Sequence, residues 1–205
     1  AADLSEFAEK LEAFANVKKA EDALKAVLAK KPIVNYIDAL KAAIAGLRSC
    51  GGDVGEAEKV LKQEEPKKLA LDALRDAMNA VAGSARASTD STHSSSAAND
   101  TEIASVEKAL QACKKLNIVA SDDIPILAEA GNWIENEKRK QQLLTGIKEF
   151  MERTKTFEKM EEIEALKALE QECGKMFKEA KEVGILEAEL GDLEVRKKKL
   201  HNKVE

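Results

Sequence analysis

From Leu4 onward the apolar residues of this chain recur in steps of three and four: Leu4, Phe7, Leu11, Phe14 and Val17, then Leu24, Val27 and Leu28. That spacing puts one apolar stripe on a helix, which Pro32 brings to an end. Asp3 and Glu6 stand at capping-box spacing at its start. A second stripe, Ile33, Tyr36, Ile37, Leu40, Ile44 and Leu47, predicts a helix closed by Gly51-Gly52, where positive φ costs little. Asp53 and Glu56 repeat the cap. A third helix, through Val60, Leu61, Leu69, Leu74, Met78 and Val81, is expected to kink at Pro66.

The pattern lapses between Gly83 and Asn99 into a Ser-rich stretch holding His93, whose apolar surface is too small to offset the entropy of ordering it. The chain therefore reads as a helical segment 1–82, a linker 83–100 and a second helical segment 101–205. Helix resumes after Asn99, with Glu102 three residues on, and carries Ile103, Val106, Leu110, Cys113 and Leu116. Asn117 to Ile124 reads as a turn, and Pro125 suits the first position of a long helix through Leu127, Ala130, Trp133, Ile134, Leu143, Leu144, Ile147, Phe150 and Met151. The next helix is expected to carry Phe157, Met160, Ile163, Leu166, Leu169, Cys173, Met176 and Phe177, and to stop at Val183-Gly184. The last, from near Ile185, includes Leu186, Leu190, Leu193, Leu200 and Val204.

A shift of about sixty residues lays Ile103, Val106, Ala109, Cys113 and Leu116 on Ile163, Leu166, Leu169, Cys173 and Met176, which points to an internal repeat of α-hairpins. Leu40, Leu47 and Cys50 suggest a weaker earlier copy; two hairpins rich in Glu, Lys and Leu also align this well by chance. A continuous coiled coil is the structural rival, because Leu169, Cys173, Met176, Ala180 and Val183 keep a four-three rhythm. The rhythm fails after two heptads, and Gly184 and Gly191 interrupt it. The expected fold is all-α: successive antiparallel α-hairpins forming an elongated helical bundle or short α-solenoid.

Composition agrees, and narrows function. Among 205 residues, 35% are charged and 3% aromatic, with three prolines, as extended helices with solvated faces require. A formal charge of −5 speaks against binding nucleic acid, because neutralising phosphates needs a basic surface. Cys50, Cys113 and Cys173 are an odd, widely spaced set that fits a reducing compartment better than a disulfide framework or a zinc site. No apolar run reaches the roughly 20 residues that span a bilayer, and Ala1-Ala2-Asp3-Leu4 does not read as a signal peptide, so a cytoplasmic location is expected.

Candidate chemistry is sparse. The two histidines, His93 and His201, lie in the linker and in the terminal helix, and assemble neither a metal site nor a Ser–His–Asp arrangement. Gly51-Gly52 lacks the Gly-Lys-Ser/Thr ending of a phosphate loop. The cysteines read as small core hydrophobes, and the expectation is a chain with no catalytic site and no cofactor. Trp133 reads as a core anchor or a binding hot spot. Two basic runs, Lys138-Arg139-Lys140 and Arg196-Lys197-Lys198-Lys199, are either solvated faces balanced by nearby Glu or contacts for an acidic protein partner.

The terminal run Val195-Arg196-Lys197-Lys198-Lys199-Leu200-His201-Asn202-Lys203-Val204-Glu205 resembles the neck helix of C-terminal-motor kinesins, its specific element being Leu200-His201-Asn202 with Val204 two residues on. The resemblance implies a motor beginning after Glu205, and makes this chain the non-motor region: lever, spacer or cargo-docking surface on the microtubule cytoskeleton. In that family the segment before the neck dimerises as a coiled coil, whereas here hairpins take its place, which leaves the oligomeric state open. A free-standing helical-repeat adaptor for protein partners is the alternative reading.

Overall fold

The computed structural model describes residues 2–87 and 97–205, with side chains for 6–83 and 97–205. Most of the Ser-rich stretch, with His93, lies outside the described residues, and Asp3 of the first capping pair is described in its backbone alone, within α1. Among those described, the chain is all-α: α1 (Ala2–Leu28), α2 (Ile37–Ser49), α3 (Gly55–Ala87), α4 (Asp100–Lys115), α5 (Ile126–Arg153), α6 (Ile163–Glu182) and α7 (Glu187–Val204). No strand is present among them, only an isolated bridge between Ser121 and Ile124 in the turn after α4.

Three boundaries depart from the sequence pattern. Ile33–Tyr36, expected as the first turn of the second helix, is a separate 3₁₀ turn that buries Ile33 and Val34. Phe157–Lys159 is likewise a 3₁₀ turn, and α6 starts only at Ile163. In both places a buried apolar residue at helical spacing belongs to the corner between helices; periodicity registers burial and not the corner. α3 runs on through Pro66 and past Val81 to Ala87.

Helix ends explain the hairpins. At the start of α4, Asn99 N–H donates to Glu102 Oε2 (3.0 Å) while Glu102 N–H donates to Asn99 Oδ1 (2.9 Å), the reciprocal cap its sequence predicts. Asp53 Oδ1 accepts the Gly55 N–H at 2.9 Å and opens α3. Three helices end in the same way: Gly52 N–H reaches back to Leu47 O (3.0 Å), Ile118 N–H to Cys113 O (3.2 Å) and Ile185 N–H to Ala180 O (2.9 Å). In each, the residue before the donor, Gly51, Asn117 or Gly184, has positive φ. A helix closed by such a turn reverses direction within a few residues, which is how α2, α4 and α6 each lead into a returning helix.

The chain divides into two compact units whose bounds fall inside α3 and α4: residues 1–75 with 111–125, and residues 76–110 with 126–205. In the first, Leu24, Ile37, Leu40, Ile44, Leu47 and Ala57 form a core against which Val17, Val27 and Leu28 of α1 pack. The α2/α3 register is visible in exposed ion pairs: Asp38–Lys68 (3.4 Å), Lys41–Glu65 (2.5 Å) and Arg48–Glu58, in which each step forward on α2 is matched by an equal step back on α3. In the second unit the α6/α7 hairpin, with α5, encloses Phe150, Phe157, Leu166, Cys173, Leu190, Leu193 and Leu200. Cys113 and Cys173, equivalent in the proposed repeat, are both fully buried, whereas Ile163, the partner of buried Ile103, is 55% exposed because it heads α6. Cys50 departs from the core role and is exposed.

Candidate functional site

The basic runs are largely engaged within the second unit. Lys138 Nζ meets Glu107 at 2.5 Å, and Lys140 Nζ meets the buried Glu137 at 2.8 Å; Arg139 is exposed. Glu137 also accepts the Ala98 N–H (2.8 Å), and Gln141, one turn on, donates to the Ala98 carbonyl (2.8 Å). Both backbone polar groups of Ala98 are therefore held by α5 where the chain enters α4, and Lys140 neutralises the carboxylate that accepts the N–H.

On α7, Arg196 donates to the Thr154 carbonyl, its guanidinium 4.9 Å from the centre of the Phe157 ring. Lys197 lies 5.4 Å from the Phe177 ring, Lys198 pairs with Glu194 (3.0 Å) and Lys199 with Glu158 (3.3 Å). The Lys198 ammonium holds the Glu194 carboxyl below its ordinary range. Lys203 donates to the carbonyls of Phe157 and Glu158. Arg196 and Lys203 thus tie α7 to the corner after α5, adding charged donors to carbonyls of which those of Thr154 and Phe157 also accept a backbone N–H.

In the neck-like element, Leu200 is fully buried and Val204 packs on the same core, while Asn202 is exposed. His201 is held between Glu170 (Nδ1, 2.8 Å) and Glu205 (Nε2, 3.3 Å). Among the described residues no group of three or more His, Cys, Asp or Glu side chains is placed to hold a metal ion, and no helix is long and apolar enough to cross a membrane. Burial pushes the Cys113 thiol up and the Cys173 thiol up to about 11, far from a reactive thiolate. Trp133 is half-buried beside buried Ile134. A shallow groove on α5, lined by Lys138, Gln141, Gln142, Thr145, Gly146 and Glu149, offers neither histidine nor cysteine.

One surface escaped the sequence reading. The core of the first unit meets α1 from Val17 onward, whereas Phe7, Leu11 and Phe14, in the turns before it, are 63%, 54% and 71% exposed. The four-three spacing of these residues shows that they share a face, but not whether a neighbouring helix covers it. α2 has 13 residues against the 27 of α1. Comparisons with protein families, curated proteins and solved structures find no match.

Proposed function

We propose that this chain is a non-catalytic helical-hairpin scaffold that acts by presenting helix faces to protein partners. The exposed Phe7–Leu11–Phe14 stripe is the observation that carries this reading. Elsewhere the large apolar side chains at helical spacing are mostly buried between helices, and the strongest cationic runs mostly serve their own unit. Two aromatic rings and a leucine held in water on one helix face are costly unless something covers them. The test is affinity capture of protein partners from an extract, with the unlabelled chain as competitor. Specific retention that competition removes is expected; finding no specifically retained protein, or finding catalytic turnover by the purified chain, would refute the reading.

A second reading is that the scaffold is the non-motor region of a kinesin-like microtubule motor, serving as lever, spacer or cargo-docking surface. It is favoured by the neck-like run, which lies on a continuous helix to Val204 with Leu200 seated in the α6/α7 core. Sequencing the transcript beyond the codon for Glu205 tests it. A motor strand followed by a phosphate loop supports the lever role, and a stop codon leaves the adaptor.

A further inference from the structure

We propose that the exposed half of α1 is the docking site for an acidic amphipathic helix of a protein partner. This rests on the scaffold reading and specifies the chemistry of what that helix face binds.

The side of α1 that packs on the core of the first unit carries Val17, Ala20, Leu24, Val27 and Leu28. At about 100° of rotation per residue, Phe7, Leu11 and Phe14 lie roughly 100° around the helix from that side and form a second apolar face, exposed at all three residues. Together they leave on the order of 350 Å² of apolar surface in water, the size at which a patch on a monomer is commonly functional. The four-three steps keep this face narrow, about 60° of the circumference. A stripe that narrow is the seam of a helix pair rather than the broader face, upward of ~100°, that a helix lays on a protein core. Ala8 and Ala15 border the seam on one side, where small side chains let a second helix approach.

Charge selects the visitor. Lys10 stands on the other border of the seam, and Lys18 continues its line one turn past Phe14. Lys18 is exposed and has no ion pair among the described residues, while Lys10 is held only by an exposed contact with Glu6 at 2.6 Å, a pairing of the weak kind. The carboxylates of these turns, on Glu6, Glu9 and Glu12, stand about 100° or more from the middle of the seam. From Phe7 to Lys18 the charges nearest the rings are therefore positive, and Glu21 and Asp22 end that stretch a turn later. A helix with Asp or Glu along its rim, one of them over Lys18, complements this surface. A second copy brings the same Lys18 in its own seam and keeps Glu9 and Glu12 on its far side, so these turns offer neither lysine an anion.

The test uses the full chain and two labelled synthetic helices of about five turns with the same leucine seam, one rimmed with glutamate and the other with lysine. In fluorescence anisotropy the glutamate-rimmed helix should bind at least ~5-fold tighter than its basic twin, and less tightly as salt is added. Phe7→Ser with Phe14→Ser should weaken that binding at least ~10-fold, with helix content and Trp133 emission unchanged because both rings are exposed. Lys18→Glu leaves the rings in place and should abolish or reverse the preference between the twins, whereas Glu12→Gln, on the far side, should not alter it. No binding, equal binding, a preference for the basic twin, or a preference unmoved by Lys18→Glu overturns the proposal. So does a sedimentation mass that doubles with concentration and falls back in the serine variant, which assigns the seam to a second copy. Retention on phosphatidylserine vesicles that the serine variant loses overturns it too, by assigning the seam to a lipid surface. A protein captured from an extract that the serine variant still retains refutes this inference while leaving the scaffold reading intact.

Discussion

Arg196→Ala separates an anchoring role for the terminal basic run from a binding role. The guanidinium donates to the carbonyl of Thr154, a residue 1% exposed, and covers the face of buried Phe157. A charged hydrogen bond to a buried acceptor contributes about 1.5–3 kcal/mol, and a cation over a ring about 0.5–1 kcal/mol more. Arg196 is itself only half-buried, so solvent screening trims the expected loss to about 2 kcal/mol. Lys198, two residues on, has a side chain 72% exposed whose partner is Glu194, and its removal should cost no more than about 0.5 kcal/mol. Trp133 is the sole tryptophan and lies in the second unit, so its emission during urea unfolding reports the unit that Arg196 anchors. The expected result is a clearly lower midpoint for Arg196→Ala and an unchanged one for Lys198→Ala. Equal midpoints would refute the anchoring account and return Arg196 to the list of free cations.

Glu137→Ala leaves the Ala98 N–H and the Lys140 ammonium without their shared acceptor and should cost about 2–3 kcal/mol, read as faster amide exchange across 98–102. Gly184→Ala forces a side chain into positive φ and should cost about 1 kcal/mol, whereas Asn117→Gly, at φ 53, should be neutral or stabilising by a few tenths; thermal unfolding followed by circular dichroism measures both. A thiol reagent should modify one cysteine quickly, Cys50, and reach Cys113 and Cys173 only on unfolding. Because burial raises the folded Cys173 pKa from about 9 to about 11, the unfolded chain releases that proton first. Stability is therefore intact below pH 9 and falls by on the order of 2 kcal/mol as pH rises to about 11, a slope that Cys173→Ala should reduce.

Local rules were legible wherever one residue fixes a local geometry. The Asn99/Glu102 pair announced the α4 cap, and Gly51 and Gly184 marked helix ends because positive φ favours glycine. Asn117 does the same at α4 with a side chain, and only the general position of that turn was readable. The stripes of the second and the last two helices predict burial of Leu40, Leu47, Leu166, Leu190, Leu193 and Leu200, and these are buried, but they also include Ile163 and Leu186, which stand at the starts of α6 and α7 and are exposed. What the sequence could not supply is the length of the neighbour. The same three-four rhythm describes Leu24, which is buried, and Phe14, which is not; the two stand about 80° apart around α1, and α2, of 13 residues, packs on the side of Leu24. Nor do runs of Lys and Arg reveal their own partners. Arg196 finds a carbonyl 42 residues away in sequence, and Lys138 a glutamate 31 residues away, contacts that the hairpins create.

Hydrogen–deuterium exchange of the full chain, with and without a protein partner captured from an extract, puts the two candidate surfaces in direct competition. If the protein works by offering its uncovered apolar helix face, protection should rise across residues 6–14 of α1 and stay unchanged across 138–140 and 196–199. Protection confined to the basic runs would contradict the account.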